Sequence, residues 1–223
     1  MAIAKPVPIH GRGSGRPPAS VAAQLPALLL DAAEALFLAQ GYGATSVEEI
    51  ATRVGATKRT IYAKFGDKEG LFSAVAKRVV QRRRAWLSGE FTGATVRERL
   101  VNFGTRLIAL ALAPDVLALH RVMVAEAHRF PELAALVDAL AARGARRRLG
   151  EIIAGEVAAG SLEVADPVLA ADLLAGMIVH RAVSAGLLGR KSVAATQPAQ
   201  WVEMAVSVFL DGCRSNRNRL YRK

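Results

Sequence analysis

The chain holds a single cysteine, Cys213, which excludes an intrachain disulfide framework and the repeated Cys/His spacing of a structural zinc site. A reducing compartment fits. Aromatic residues are scarce, 5 % against 52 % apolar. A core must therefore be built mainly of Ala, Leu and Val, of which Ala and Leu favour helices. Residues 76–223 show no strand-like alternation and no repeat. No uninterrupted apolar run reaches the roughly 18 residues of a membrane span, and the N-terminus lacks the apolar region of a secretion signal. The expectation is an all-α, soluble, cytoplasmic protein with no membrane partner.

Acid is missing from the first 22 residues, "MAIAKPVPIHGRGSGRPPASVA", which carry Lys5, Arg12 and Arg16 among Gly and Pro without a helical or strand period. They read as a flexible basic arm, either an idle tail or an arm that enters a minor groove beside a docked helix. Enzymatic signatures are missing too. The chain shows no nucleophile motif, no phosphate-cradling Gly loop and no credible metal triad. His120, His128 and His180 with Glu126 have ligand chemistry but poor spacing, so no metal, no cofactor and no catalytic residue is expected.

Positive charge is abundant. Lys and Arg number 30 against 19 Asp and Glu, a net +11, which points to a polyanionic partner such as nucleic acid or an anionic membrane surface. The excess is denser early, with 13 basic and 7 acidic groups in residues 1–90.

Local signals there spell out three helices. "PALLLDAAEALFLAQ" (26–40) puts Leu29, Ala33, Leu36 and Phe37 on one face, with Pro26 suited to a first turn and Gly41 to an end. In "ATSVEEIATRVG", Thr45 stands three residues before Glu48 in capping-box spacing, Ile50 and Val54 form an i, i+4 pair, and Gly55 closes the helix. Thr57 caps a short helix from Lys58 to Phe65, Gly66 stops it, and Asp67 caps a longer helix running through Leu71, Phe72 and Val75 towards Arg84. Helix, Gly-containing turn and short helix outline a helix-turn-helix. Ile61 and Phe65 share one side of the short helix and Thr60, Arg59, Tyr62 and Ala63 spread over the other. Lys58 and Arg59 add positive charge to an already positive helix end. A phosphate or guanine edge there would turn that repulsion into attraction.

Further helices are expected over Val96–Leu112, Val116–His128, Pro131–Arg143, Arg146–Ala159, Pro167–Leu188 and Pro198–Arg214, with breaks at Pro114, Pro131, Gly160, Asp166-Pro167 and "GRKSVAATQP". "KRVVQRRR" (77–84) reads as a solvated helix end rather than a second nucleic-acid or membrane patch. "DLLAGMIVHRAVSAGLL" and "WVEMAVSVFL" are apolar over more than one face and call for burial against both the core and a twin subunit. Phe103, Leu107, His120, Met123, Met177 and His180 are candidates for an apolar pocket with isolated polar groups, and a hydrogen-bonded core position is the other reading of the histidines. Few charges project there, so a lipophilic, neutral or cationic ligand is expected. Cys213 beside Arg214 has a neighbouring cation that lowers a thiol pKa.

Residues 28–75 resemble the DNA-binding domain of TetR-type transcriptional repressors, through Phe37, Gly41-Tyr42, Thr45-Ser46-Val47, Ile50-Ala51, Gly55, Thr60-Ile61-Tyr62, Phe65 and Lys68-Glu69-Gly70-Leu71. "VMVAEAHRFPELAALV" is similar to the AefR-like branch through Glu126 and Arg129 to Leu133. The resemblance implies an Ω-shaped homodimer with two recognition helices in successive major grooves of a double-stranded operator and a C-terminal domain binding a small-molecule effector. It implies phosphate contacts by Thr45, Ser46 and Lys68, and an operator-facing set of Lys58, Arg59, Thr60, Tyr62 and Lys64 next to the cap Thr57. Ala63 departs from the larger or polar residue many relatives carry. The expected domains are an arm (1–22), a helix-turn-helix domain (23–75) and a helical effector-binding and dimerisation domain (76–223), joined across subunits by Pro167–Leu188 and Pro198–Arg214. The expected function is a ligand-released repressor. The alternatives are a nonspecific DNA-packaging protein or an enzyme acting on a hydrophobic substrate.

Overall fold

A computed structural model describes residues 19–84 and 91–213, and every regular element among them is a helix. Residues 1–18 of the arm and Arg214 lie outside the described residues. The elements are α1 (Ala19–Ala44), α2 (Val47–Arg53), α3 (Lys58–Phe65), α4 (Lys68–Arg84), α5 (Val96–Ala111), α6 (Pro114–Glu126), α7 (Pro131–Ala158), α8 (Pro167–Leu187), α9 (Val193–Thr196) and α10 (Pro198–Cys213). The chain divides into two compact units, Met1–Val75 and Ala76–Lys223.

Three departures from the sequence reading each have a local reason. α1 starts at Ala19 and carries Pro26 inside it, because three alanines in "ASVAAQ" favour helix and offset the lost hydrogen bond and the ring clash that an interior proline brings. α7 continues as one helix through Gly144, whose cost of about 1 kcal/mol relative to Ala is outweighed by its Ala, Leu and Arg neighbours. Within "GRKSVAATQP", Ser192 accepts from the Ala195 N–H at 3.2 Å and starts α9, pinned by the fully buried Ala194. Four residues carry no readable period, so periodicity gave no sign of it.

In the first unit α2 packs on α1 and on α3. Phe37, Tyr42 and Phe72 stack around one point, with Phe37 and Phe72 edge to face at 5.1 Å between centroids, an arrangement that adds to the burial of their area. In the second unit α8 lies among α5, α6, α7, α9 and α10. Phe103, Leu149, Ile153, Leu174, Ile178, Val202 and Val206 are fully buried there. Gly104 lets α5 close onto this centre, since a Cβ at that position would sit 2.7 Å from Val202 and 2.9 Å from Ile178.

By length and composition α8 is apolar enough to cross a membrane, although Asp172 and Arg181 interrupt it. Its inner face is core, and Asp172 pairs with Arg146 at 2.9 Å.

Candidate nucleic-acid interface

The geometry of α2, the turn and α3 follows from caps. Ser46 accepts from the Glu49 N–H at 3.0 Å and opens α2. Gly55, at φ 67, ends the C-terminal turn of α2, and Thr57 opens α3 by accepting from the Thr60 N–H at 3.2 Å. Gly66, at φ 83, returns its N–H to the Tyr62 carbonyl at 2.9 Å and stops α3 after two turns. Asp67 then accepts from the Gly70 N–H at 2.7 Å. Gly70 is needed for close approach: a Cβ there would stand 2.0 Å from the carbonyl oxygen of Phe65. The end of α3 and the start of α4 thus meet backbone to backbone.

Ile61 is fully buried and Phe65 half-buried, which roots α3 on one side. Lys58, Arg59, Tyr62, Ala63 and Lys64 are exposed on the rest of its surface, Tyr62 at 47 %. Thr60 is half-buried and shares a 2.9 Å hydroxyl contact with Thr57. Arg59 and Lys64 make no hydrogen bond or ion pair among the described residues. Lys58 does: its Nζ lies 2.7 Å from Glu48 Oε2 in the first turn of α2, and this hydrogen bond and the carboxylate charge raise its pKa above the usual lysine value. Lys68 places its ammonium 4.3 Å from the centroid of the Tyr42 ring, a cation–π contact.

One residue of the expected phosphate-contact set is turned inward. Thr45 is 1 % exposed and its hydroxyl donates to the Gly41 carbonyl at 2.7 Å, which removes it from any groove-facing surface and from the cap. Thr45–Glu48 and Ser46–Glu49 offer the same capping-box spacing. Burial of Val47 and Ile50 selects the second.

The expected pocket residues separate. Phe103, Leu107 and the half-buried Met177 belong to the main core cluster, and Met123 is buried on α6 apart from that cluster. His120 and His180 are exposed, contrary to their placement inside an apolar pocket. His180 falls on the same outer stripe of α8 as Leu169 and Leu173, at i, i+4 and i+11 spacing. A cleft of about 560 Å³ opens elsewhere, lined by Phe91, Gly93, Arg99, Arg148, Glu151 and Ile152 among others. Arg99 donates to the Gly93 carbonyl at 2.7 Å and also pairs with Glu156, and Arg148 pairs with Glu151 at 3.1 Å. No periodicity marks this cleft, because its walls come from three separate segments, the loop at residues 91–93, the first turn of α5 at Arg99 and the second half of α7. Burial pushes the Cys213 thiol pKa up, which opposes the lowering that a neighbouring cation would bring. Among the described residues no group of three or more His, Cys, Asp or Glu is placed to hold a metal ion.

An apolar face remains outside. Val168, Leu169 and Leu173 on α8, Val193 on α9, and Met204 and Val208 on α10 are each more than half exposed, and α8 touches both α9 and α10.

Comparison with known proteins places these features. Residues 29–75 match the model for bacterial regulatory proteins of the tetR family, and residues 98–212 match the C-terminal domain of AefR-like transcriptional repressors. A solved TetR-family regulator from Mesorhizobium loti is 26 % identical at a TM-score of 0.75, covering 86 % of this chain and 98 % of the other. The flavonoid-responsive regulator FrrA is 28 % identical at 0.73, covering 85 % and 97 %. The transcriptional repressor ComR of Escherichia coli K12 is 47 % identical over 53 residues, so the match spans about a quarter of each protein, 24 % of this chain and 25 % of ComR.

Proposed function

The chain belongs to the TetR family of bacterial regulatory proteins, with a C-terminal domain of the AefR-like transcriptional-repressor type, and on that premise we propose that it is a homodimeric repressor that binds a palindromic operator and leaves it when a small lipophilic molecule binds. It acts in the cytoplasm by binding and not by catalysis.

The observation that carries this reading is the outward face of α3. A short helix is held by the buried Ile61 at its root and presents Arg59, Tyr62 and Lys64 outside, the two cations without a partner among the described residues. Arg59 is the base reader, since a bidentate arginine on guanine is worth about 1–3 kcal/mol of discrimination. Lys64, Tyr62, Thr57 and the cap Ser46 serve phosphates, and Lys68, steadied over Tyr42, anchors another. Thr60 supports the cap through Thr57.

The exposed apolar residues of α8 and α10 support the dimer, because large apolar side chains left open on neighbouring helices suit an interface. A two-fold pair of recognition helices then reads half-sites about 34–36 Å apart. The second unit holds the effector. Its apolar core around Phe103, Leu107 and Met177 favours a lipophilic molecule, and the flavonoid response of FrrA makes planar phenolic compounds the first to try. A ligand that prefers the released conformation by about 1–3 kcal/mol lowers operator affinity roughly 5- to 150-fold.

The test is recovery of bound fragments from a random-duplex pool, followed by a screen for small molecules that release the winner. A palindromic winner and a releasing compound are expected. Met177→Trp should abolish release while leaving operator affinity unchanged, as read by fluorescence anisotropy, because the larger indole fills effector space at a position remote in sequence from the reading head. The charge of +11 also suits a nonspecific DNA-packaging protein, and for that reading bulk genomic DNA would compete as well as the winner.

A further inference from the structure

Among the cations on the outer face of α3, Lys58 is distinguished by its partner. Its Nζ is 2.7 Å from Glu48 Oε2, with the two side chains 50 % and 70 % exposed. The hydrogen bond to Glu48 and its charge raise the pKa of the Lys58 ammonium. Exposed pairs of this kind add little to stability, and α2 does not need this one: Ser46 already supplies its cap and Glu49 already supplies an acid to its first turn, held by Gln40 at 2.8 Å. The consequence of the pair lies in what a duplex meets. A carboxylate in contact cancels the lysine's attraction for phosphates arriving at no fixed position, while a phosphate or base acceptor held at contact distance can replace it.

We propose that Glu48 is a specificity-determining residue: it holds Lys58 as an internal counter-ion against non-operator DNA and yields it only where the operator sets an acceptor within reach of Nζ. The proposal rests on the DNA-binding reading above. It assigns Glu48 a role against the wrong duplex, since discrimination grows as much by weakening the competitor as by strengthening the target.

The test uses the full chain as wild type, Glu48→Gln, Lys58→Gln and the double variant, with log Kobs followed against log salt on the selected operator and on a scrambled duplex. Each phosphate neutralised contributes a slope of about 0.9. On the scrambled duplex Glu48→Gln should steepen the slope by about 0.9 per subunit and tighten binding roughly five- to tenfold for each subunit at about 0.1 M salt. The double variant should return to the wild-type slope. Lys58→Gln alone should leave the scrambled slope unchanged and flatten the operator slope by about 0.9 per subunit. Equal effects of Glu48→Gln on both duplexes, or a scrambled slope flattened by Lys58→Gln, would overturn the proposal while leaving the repressor reading intact. A wild type that does not distinguish the two duplexes would overturn both.

Discussion

Arg59→Ala is expected to cost about 1–3 kcal/mol of discrimination in each half-site at the base pair that Arg59 reads, with a much smaller loss on scrambled DNA. The reason lies in how α3 is held. Ile61 is fully buried, Thr57 caps the first turn and Gly66 ends the helix, so Arg59 leaves a rigid support in the first turn, where the helix end favours a negatively polarised partner. Removing the guanidinium removes a directional contact and leaves Lys64 and Lys68 to hold phosphates. Binding of a panel of operators, each changed at one base pair, separates the cases. The variant should lose preference at one symmetric pair of positions and keep it elsewhere. A uniform loss over every sequence would make Arg59 a phosphate contact.

Leu173→Glu has the second large expected effect, through the exposed apolar face of α8. Leu173 is 61 % exposed, with Leu169 at 56 % one turn before it and Met204 at 61 % on α10, the helix that also packs on α8. In a two-fold interface the same patch meets itself, so one substitution places two like charges in one seam. The protein should sediment as a monomer. Its operator affinity should then fall towards the non-specific level, about 10³-fold or more below the dimer's. Val124→Glu supplies the control, since Val124 is 60 % exposed on α6 and not among the exposed apolar residues of α8, α9 and α10, and the dimer should survive it. A Leu173→Glu protein that remains dimeric would move the subunit interface to another surface.

The parts of the fold that could be read beforehand are those governed by local chemistry. Thr57, Gly55, Gly66 and Asp67 each act through neighbours within a few residues, and each performs in the structure the capping or stopping job its type suggests. The parts that could not be read depend on a choice between equal local options or on distant partners. Thr45 and Ser46 had the same claim to the cap, and only the packing of Val47 and Ile50 decided between them. His180 sits on a helix apolar over more than one face, so its neighbours could not show which face turns outward until α5, α7 and α10 took the other. The Lys58–Glu48 pair joins residues ten apart across a turn, and the cleft at Phe91 and Arg148 joins residues from separate elements. Neither leaves a periodic trace.

The decisive comparison is the ratio of affinities for the selected palindrome and for a duplex of the same base composition in scrambled order, measured on the full-length protein at about 0.15 M salt. A ratio of about 10³ or more is expected if α3 is a reading head. A ratio near one would show α3 to be no more than a basic surface.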